Sequence, residues 1–432
     1  MFKLCRYPFF GKSFFRRARK IVGTCQFAHL WRIVVALASL QGHSSLCKIE
    51  ERSGRRRSRQ AISHFLTSTE WDAPEVLRAT ALDILRQLGY RAGDRLYVIL
   101  DDTQVEKFGK RMDAVQKIFL HAQQRYARGH TVVGCALSYR GVVIPYSLEV
   151  WTPEDFPDHP FRKLTVLGAD LIRNLTLPGL ALPEKAGKDR TKRLEKGRCG
   201  KKGRPGNGHL TVLFDAYYLC PPVTNVCRER KFHFISVARR NRRFQPDGRP
   251  WDSRRLQQYG ANVLAHEGQR IKVQGNSYRM AQRIGQLRKA GRVKLVFDRR
   301  GREARWRTLV TDHVKWSPKT ILSHYLARWS IEVLFKMTKQ YLGLGDYHLL
   351  RYTGVVRYLH LVLIAYLLLT HLALHKPDAK AELQNDEMLC LASIPHLQCF
   401  LRQQLFQDGI SSLENSRRYH LAARKIKQLI QF

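Results

Sequence analysis

Four polar residues have a distinctive spacing in the segment YLARWSIEVLFKMTKQYLGL: Tyr325, Arg328, Glu332 and Lys339, in the pattern Y-x2-R-x3-E-x6-K. At about 100° per residue these four side chains fall within an arc of roughly 60° on a helix, and Lys336 lies about 20° beyond it. Apolar residues occupy another side, which predicts an amphipathic helix. Its polar stripe holds one carboxylate among cations and a phenol, a set that suits a metal ion bound beside phosphates. The alternative is a solvated helix face with ion pairs between residues four apart.

Two apolar runs upstream each end in aspartate. LYVIL (96–100) precedes Asp101 and Asp102, and LTVLF (210–214) precedes Asp215. Both runs predict buried strands, and an acid at a strand end lies at the rim of a sheet, open to a ligand. If Asp101, Asp215 and Glu332 converge, they can hold two divalent cations, which clamp the attacking and leaving oxygens of a phosphoryl displacement. Hard oxygen ligands favour Mg²⁺ or Mn²⁺. Each aspartate taken alone is equally explained as a turn or cap residue.

The doubled aspartate leaves the first metal ligand open. Neighbouring strand residues point to opposite faces of a sheet, so at most one of Asp101 and Asp102 faces the metals. We favour Asp101 because it follows the apolar run directly, and Asp102 is the alternative. The predicted catalytic and metal-binding residues are therefore Asp101, Asp215 and Glu332.

The elements that must position these acids follow from the apolar patterning. We predict strands at 96–100, 131–139, 141–151, 210–214 and 232–238, and a helix at 161–175. Arg140-Gly141 at the joint of two strands predicts an antiparallel hairpin. Further expected segments are a flexible basic loop at 185–208, a basic, strand-rich insertion at 240–312, and a helical region at 381–432.

The amino-terminal part has helical patterning over residues 31–92. Arg55-Arg56-Arg57-Ser58-Arg59 leads into a short helix, and Asp72-Ala-Pro-Glu75 is a capping box with proline in the first turn of the next helix. Small helices with an arginine cluster suit a DNA-docking module. A helical cap with a solvated basic face is the alternative.

Composition points to a polyanionic partner. The 432 residues carry 76 Lys plus Arg against 35 Asp plus Glu, a formal net charge of +41. Such an excess would repel itself in a compact state, so nucleic acid is the first expectation and a membrane surface the weaker one. Because the basic residues run along the whole chain, we expect an extended nucleic-acid track.

Neither a signal peptide nor a membrane-spanning helix is expected. The start of the chain is basic and aromatic and lacks the apolar core of a signal peptide. Residues 358–375 approach membrane length, but His360 and His371 interrupt them, which favours a buried core helix. The nine cysteines are irregularly spaced and form no CxxC pair. They predict reduced thiols in a cytoplasmic protein.

These motifs together resemble the DDE transposases of bacterial insertion sequences, specifically the branch with a Tyr/Arg/Glu/Lys signature. The resemblance rests on LDDTQVEK after a strand, GVVIPYSLEVW, LFDAYYL and YLARWSIEVLFKMTKQYLGL, and it covers roughly residues 31–375. It implies an α/β protein with an RNase H-like catalytic core interrupted by a mainly β insertion. The expected division is a basic segment (1–30), a helical DNA-binding region (31–92), the first part of the core (93–239), the β-rich insertion (240–312), the second part of the core (313–380) and C-terminal helices (381–432).

The resemblance also implies Mg²⁺-dependent cut-and-paste transposition, with two Mg²⁺ or Mn²⁺ ions per active site. Glu332 would be a metal ligand, while Tyr325, Arg328 and Lys339 would contact phosphates of the transposon end, with Lys336 beside them. The expected partners are double-stranded DNA, as inverted repeats and target, and a second copy of the chain when two ends are paired. The expected location is the bacterial cytoplasm, at the nucleoid.

Two points stay open from sequence. Some relatives stack a flipped base on a tryptophan of the insertion, and Trp251 and Trp306 are candidates here, with core packing as the alternative for each. The other functions to weigh are a different RNase H-like nuclease, such as a junction resolvase, and a non-catalytic DNA-binding protein descended from a transposase.

Overall fold

The computed structural model describes residues 11–53, 58–109, 111–120, 123–157, 159–178, 180, 210–248, 253–301, 303, 305–375 and 393–414. It is a mixed α/β protein with a large mixed sheet and flanking helices. Two compact units divide the chain. The first unit comprises Met1–Gly89, Asp101–Leu164 and Trp329–Phe432, and the second comprises Tyr90–Leu100 and Thr165–Arg328.

The described strands are β1 (Leu96–Glu106), β2 (Gln116–Leu120), β3 (Arg125–Tyr139), β4 (Val142–Val150), β5 (Leu210–Phe214), β6 (His233–Val237), β7 (Arg243–Pro246), β8 (Arg254–Arg255), β9 (Gln269–Val273), β10 (Asn276–Leu287), β11 (Gly291–Arg300) and β12 (Arg307–Thr311). The described helices are α1 (Gly11–Phe14), α2 (Arg16–Ser39), α3 (Leu46–Arg52), α4 (Arg59–Thr67), α5 (Ala73–Gln87), α6 (Leu164–Arg173), α7 (Pro221–Glu229), α8 (Leu256–Glu267), α9 (Pro318–Leu326), α10 (Trp329–Tyr341), α11 (Tyr352–Leu374) and α12 (Ile394–Glu414).

In the second unit, the first five residues of β1 pair in parallel with β5, and β5 pairs in parallel with β6. All five residues of β5 are buried. Such apolar runs are typical of parallel strands covered on both faces. Antiparallel pairing then continues from β6 through β12, β11 and β10 to β7, so the strands expected in the 240–312 insertion share one sheet with β5 and β6. The same stretch also contains the helix α8, which was not predicted.

In the first unit, the second half of β1 neighbours β3, and β3 pairs with β2 and β4. The β3–β4 hairpin turns at Arg140 (φ 50°) and Gly141 (φ 80°), two positive values in succession, as a tight hairpin turn requires. The predicted hairpin is confirmed. The predicted end of β1 is wrong, because the strand runs on through both aspartates to Glu106.

The helices of the first unit form a core around α11. Most α11 side chains are buried within the protein, as expected for a core helix. Both α2 and α11 are long and apolar enough to cross a membrane by length and composition alone. In the amino-terminal helices, Ser58 Oγ accepts a hydrogen bond from the Ala61 amide (3.2 Å), and Asp72 Oδ1 accepts one from the Glu75 amide (2.7 Å). Both predicted helix starts are confirmed.

Several predictions concern residues that the structure does not describe. Arg55 to Arg57, the loop 185–208, Trp251, and the residues after 414 lie outside the described residues. The six described cysteines are free thiols. The expected domain limits stay predictions.

Packing of α10 on β3 depends on Gly134 of β3, because glycine has no Cβ. A Cβ there would lie 2.8 Å from Cζ of Phe335 on α10. We expect Gly134→Ala to lower the free energy of unfolding by about 1–3 kcal/mol, because the buried ring must move. Denaturant unfolding measures this change. Gly109→Ala is the matched control, since a Cβ at Gly109 meets nothing within 4 Å; equal stability of the two variants would contradict the packing argument.

Candidate active site

The signature segment is two helices rather than the single one predicted. The Ala327 amide donates to the His324 carbonyl (3.1 Å) and the Arg328 amide to the Tyr325 carbonyl (3.0 Å). These i to i−3 bonds tighten the chain into a turn between α9 and α10. The expected uninterrupted polar stripe is therefore wrong: Tyr325 lies on α9, Arg328 in the turn, and Glu332 in the first turn of α10.

The first unit holds Asp101, Glu332, Lys336 and Lys339. Glu332 is half-buried, and its place in the first turn of α10 is favourable for a negative charge. Lys336 is exposed one turn further on, whereas Ile331, Leu334, Phe335 and Thr338 of α10 are buried.

Lys339 ties α10 to β1. Its Nζ donates a hydrogen bond to the Gln104 carbonyl at 2.6 Å. Loss of water around the ammonium lowers the pKa of Lys339. An ammonium has three donors, so Lys339 can hold this carbonyl and still offer a proton to a phosphate oxygen.

Val105, near the end of β1, and Lys107, just after the strand, contact the segment that follows α10. Val105 Cγ1 lies 3.4 Å from the position that a Cβ of Gly345 would occupy. The Lys107 ammonium donates to the carbonyls of Gly345 and Tyr347, the latter at 2.8 Å. Because strand side chains alternate between faces, Asp101 shares the face of β1 that carries Val105.

The backbone near Asp101 also contacts α10 through β3. The Asp101 carbonyl oxygen lies 4.0 Å from the Cβ position of Gly134, against which the Phe335 ring packs. Asp101 is half-buried, and its Oδ1 accepts a hydrogen bond from the Asp102 amide (3.0 Å). Asp102 has the opposite parity and shares its face with Gln104.

The second unit holds Asp215, Tyr325 and Arg328. Asp215 comes directly after β5, as predicted, and is half-buried. Its Oδ1 accepts hydrogen bonds from the amides of Tyr217 (2.8 Å) and Tyr218 (3.3 Å), which fixes the turn after the strand. The turn role and a catalytic role are compatible, because one carboxylate has about four acceptor sites.

Tyr325 is buried among charges within the same unit. Burial raises the pKa of its hydroxyl, whereas the Arg328 and Arg307 cations act in the opposite direction and Asp215 adds to the increase. The Arg328 guanidinium carbon lies 5.7 Å from the centroid of the Tyr325 ring. The phenol therefore stays protonated near neutral pH, with its proton available to a hydrogen-bond acceptor.

Arg307 is a neighbour of Tyr325 that the sequence analysis missed. Its Nε (3.1 Å) and a terminal nitrogen (2.7 Å) both donate to Oδ2 of Asp298, which is 1% exposed. Burial raises the pKa of Asp298, and the Arg307 charge opposes that increase. No sequence signal separates Arg307 from the 75 other basic residues, because its position follows from the β11–β12 pairing.

Trp306 is used in packing. Its ring lies edge-on to Phe297 with a centroid distance of 6.0 Å, and the Arg240 guanidinium carbon lies 4.6 Å from its centroid. A Cβ at Gly260 of α8 would come 2.7 Å from the indole. These contacts support the core-packing alternative for Trp306.

The donor chemistry of the predicted acids fits a hard divalent cation, since Asp101, Asp215 and Glu332 are all half-buried carboxylates. Within the described residues, no group of three or more His, Cys, Asp or Glu side chains is arranged so that it could hold a metal ion. The three-acid metal site therefore stays a prediction.

Comparison with known proteins identifies one family. The family model described as DDE superfamily endonuclease matches residues 24–311, about two thirds of the chain. The matched stretch includes Asp101 and Asp215 and ends before α9 and α10. A comparison with curated proteins gives no match.

Proposed function

The chain belongs to the DDE superfamily of endonucleases, and from that membership we propose that it is the transposase of an insertion sequence, in the branch with the Tyr/Arg/Glu/Lys signature. The family implies a phosphodiester-cleaving enzyme with a DNA substrate, and its members typically use divalent metal ions. The observation that carries the finer proposal lies in the first unit. Asp101 shares its face of β1 with Val105, which lies against Gly345 in the segment directly after α10, and α10 carries Glu332.

Asp101, Asp215 and Glu332 are proposed to hold two Mg²⁺ or Mn²⁺ ions. When bound, such ions activate water and stabilise charge on the attacking and leaving oxygens. The chain would cut one strand at the end of its element, and the freed 3′ hydroxyl would attack flanking or target DNA.

The surrounding cations and the phenol are proposed to position the DNA end. Arg328 can donate two parallel hydrogen bonds to a phosphate, whereas Lys336 and Lys339 act as point charges. The protonated hydroxyl of Tyr325 can donate a hydrogen bond to a phosphate oxygen. Together they would hold the scissile phosphate in register with the three acids.

The wider architecture is proposed to be an RNase H-like core with an insertion. The parallel set β1, β5 and β6 and the β3–β4 hairpin support the core. The antiparallel strands β7 to β12, with α8 among them, support an insertion between Asp215 and Glu332. The amino-terminal helices would dock DNA, two copies would pair two ends, and the protein would act at the bacterial nucleoid.

An end-cleavage assay tests the proposal. Purified protein is incubated with Mg²⁺ and DNA carrying the inverted repeats that flank its coding sequence, and strand cuts are mapped. We expect cuts at the repeat ends and, with target DNA added, joined products. Binding of the repeats without cleavage would indicate a non-catalytic DNA-binding protein, and cleavage of branched junctions alone would indicate a different RNase H-like nuclease.

Loss of Arg328 is expected to slow cleavage even when DNA is saturating. A phosphate displaced by about 1 Å can cost 100-fold in rate, so Arg328→Ala should be at least about 100-fold slower. Single-turnover rates at saturating DNA measure the effect. The control is Arg270→Ala, an exposed arginine of β9 in the same unit. Normal cleavage by Arg328→Ala would mean that the signature spacing is a coincidence.

A further inference from the structure

The β2–β3 ribbon presents two cations and two aromatic rings on one face. Lys117 pairs with Arg128, and Phe119 pairs with Tyr126 in the antiparallel register. Residues directly opposite each other, and those two positions apart on one strand, point to the same side. These four side chains therefore form one surface, the ribbon face.

The ribbon face is open to solvent at its aromatic centre. Tyr126 is 65% exposed, and both Lys117 and Arg128 are exposed. The Lys117 ammonium lies 4.2 Å from the centroid of the Tyr126 ring, and the Phe119 ring meets that ring edge-on at 5.0 Å. Lys117, Tyr126 and Arg128 also line a shallow, open depression, together with Val115, Gln116 and Ala127.

The other face of the ribbon is fixed to the protein. Ile118 is buried there, 2.7 Å from the Cβ position of Gly129. Arg125 donates two hydrogen bonds of 2.8 Å to the carboxylate of Glu106 on β1. These contacts hold the ribbon in place, and Arg125 is paired with the Glu106 carboxylate.

The two cations of the ribbon face can interact with an anionic partner. Within the described part of the chain, neither Lys117 nor Arg128 forms an ion pair with a carboxylate. A formal charge of +41 makes a polyanion the matching partner. Proteins bind single-stranded nucleic acid with cations next to exposed aromatic rings, as on this face. The phosphates bind to the cations, and the bases stack on the rings.

We propose that the ribbon face binds a DNA strand with unpaired bases, with phosphates at Lys117 and Arg128 and a base stacked on Tyr126. Intact duplex is the poorer match, because its base faces are covered by stacking and its groove edges are read by polar side chains. The inference rests on the proposed function, since cutting and joining a DNA end exposes such a strand. It assigns the ribbon face to that strand and leaves duplex repeats to other surfaces.

Binding measurements without metal test the proposal on the full chain. Fluorescence anisotropy follows a labelled oligothymidylate strand and, separately, a blunt duplex of the terminal repeat, both in EDTA. Tyr126→Ala should weaken binding of the single strand about 5- to 150-fold, because stacking of one base is lost. Tyr126→Phe keeps the ring and should bind like the wild type. Duplex affinity should be unchanged in both variants.

The cations are tested through salt dependence. Lys117→Gln and Arg128→Gln should each reduce the slope of log affinity against log salt by about 0.7 for the single strand. Lys163→Gln is the matched control, since Lys163 is an exposed lysine of the first unit outside the proposed DNA-binding residues. Because Tyr126 is largely exposed, its variants should unfold at the wild-type temperature. An unchanged unfolding temperature would show that the changes in binding are local.

The outcomes separate this inference from the proposed function. If the wild type binds both DNAs and Tyr126→Ala binds the single strand equally well, the ribbon inference fails alone. If Tyr126→Ala loses single strand and duplex equally, the ribbon holds duplex and the inference again fails. If the wild type binds neither DNA, the proposed function fails as well.

Discussion

Glu332→Gln is expected to reduce cleavage of the DNA end by at least about 1000-fold. A carboxylate that holds a catalytic metal supports several kcal/mol of transition-state stabilisation, and each 1.36 kcal/mol is a factor of ten in rate. Glutamine keeps the shape of the side chain and removes the charge. Affinity for the end should stay the same or increase, because a negative charge beside phosphate is removed.

Two measurements on this variant separate catalysis from folding and binding. Single-turnover cleavage in Mg²⁺ gives the rate, and end binding in EDTA gives the affinity. Glu154→Gln is the matched control, since Glu154 is an exposed glutamate of the first unit. Cleavage by Glu332→Gln within about tenfold of the wild type would contradict the assignment of Glu332 as a metal ligand.

Apolar runs predicted the central strands and the hairpin well. The run before Asp215 matches β5, and the turn at Arg140-Gly141 joins β3 to β4. These signals are local, because a buried strand needs consecutive apolar residues and a tight turn needs positive φ.

The end of β1 was mistaken because its last part has a mixed pattern. Asp101 and Asp102 suggested a turn, yet Thr103 and Val105 are buried and alternate with half-buried Gln104. The alternation was present in the sequence, but two acids at its start concealed it. This matters for the site because both aspartates lie within the strand, so the alternation of its side chains determines which aspartate shares the face of Val105.

The helix α8 was not predicted, although the sequence contains a signal for it. Its buried residues recur at helical spacing, at Leu256, Tyr259, Gly260, Val263 and Leu264. By contrast, the break between α9 and α10 has no local signal. Ala327 and Arg328 are good helix formers without proline or glycine nearby, so helix propensity predicts one continuous helix here.

Sequence spacing could propose the acids of the site but not their neighbours. Arg307 comes near Tyr325 only through the pairing of β11 with β12, and the Lys339–Gln104 hydrogen bond joins residues far apart in the chain. Such contacts depend on long-range register, which periodicity does not encode.

Asp101→Asn and Asp102→Asn are expected to differ by at least about 100-fold in cleavage rate. Asp101 shares its face of β1 with Val105, which lies against the segment after α10, whereas Asp102 points to the opposite face. If Asp101 is the metal ligand, its asparagine variant should lose at least about 1000-fold. Asp102→Asn should stay within about tenfold of the wild type.

The matched pair controls for itself, because both changes remove one charge from adjacent half-buried positions of one strand. Single-turnover cleavage in Mg²⁺ is compared with end binding in EDTA for each variant, and thermal unfolding confirms that both are folded. A reversed result, with Asp102→Asn inactive and Asp101→Asn active, would show that Asp102 is the ligand and that the parity of β1 changes before Val105. Mild and equal losses would remove both aspartates from the metal site and leave Asp215 and Glu332 without the third acid that a two-metal mechanism requires.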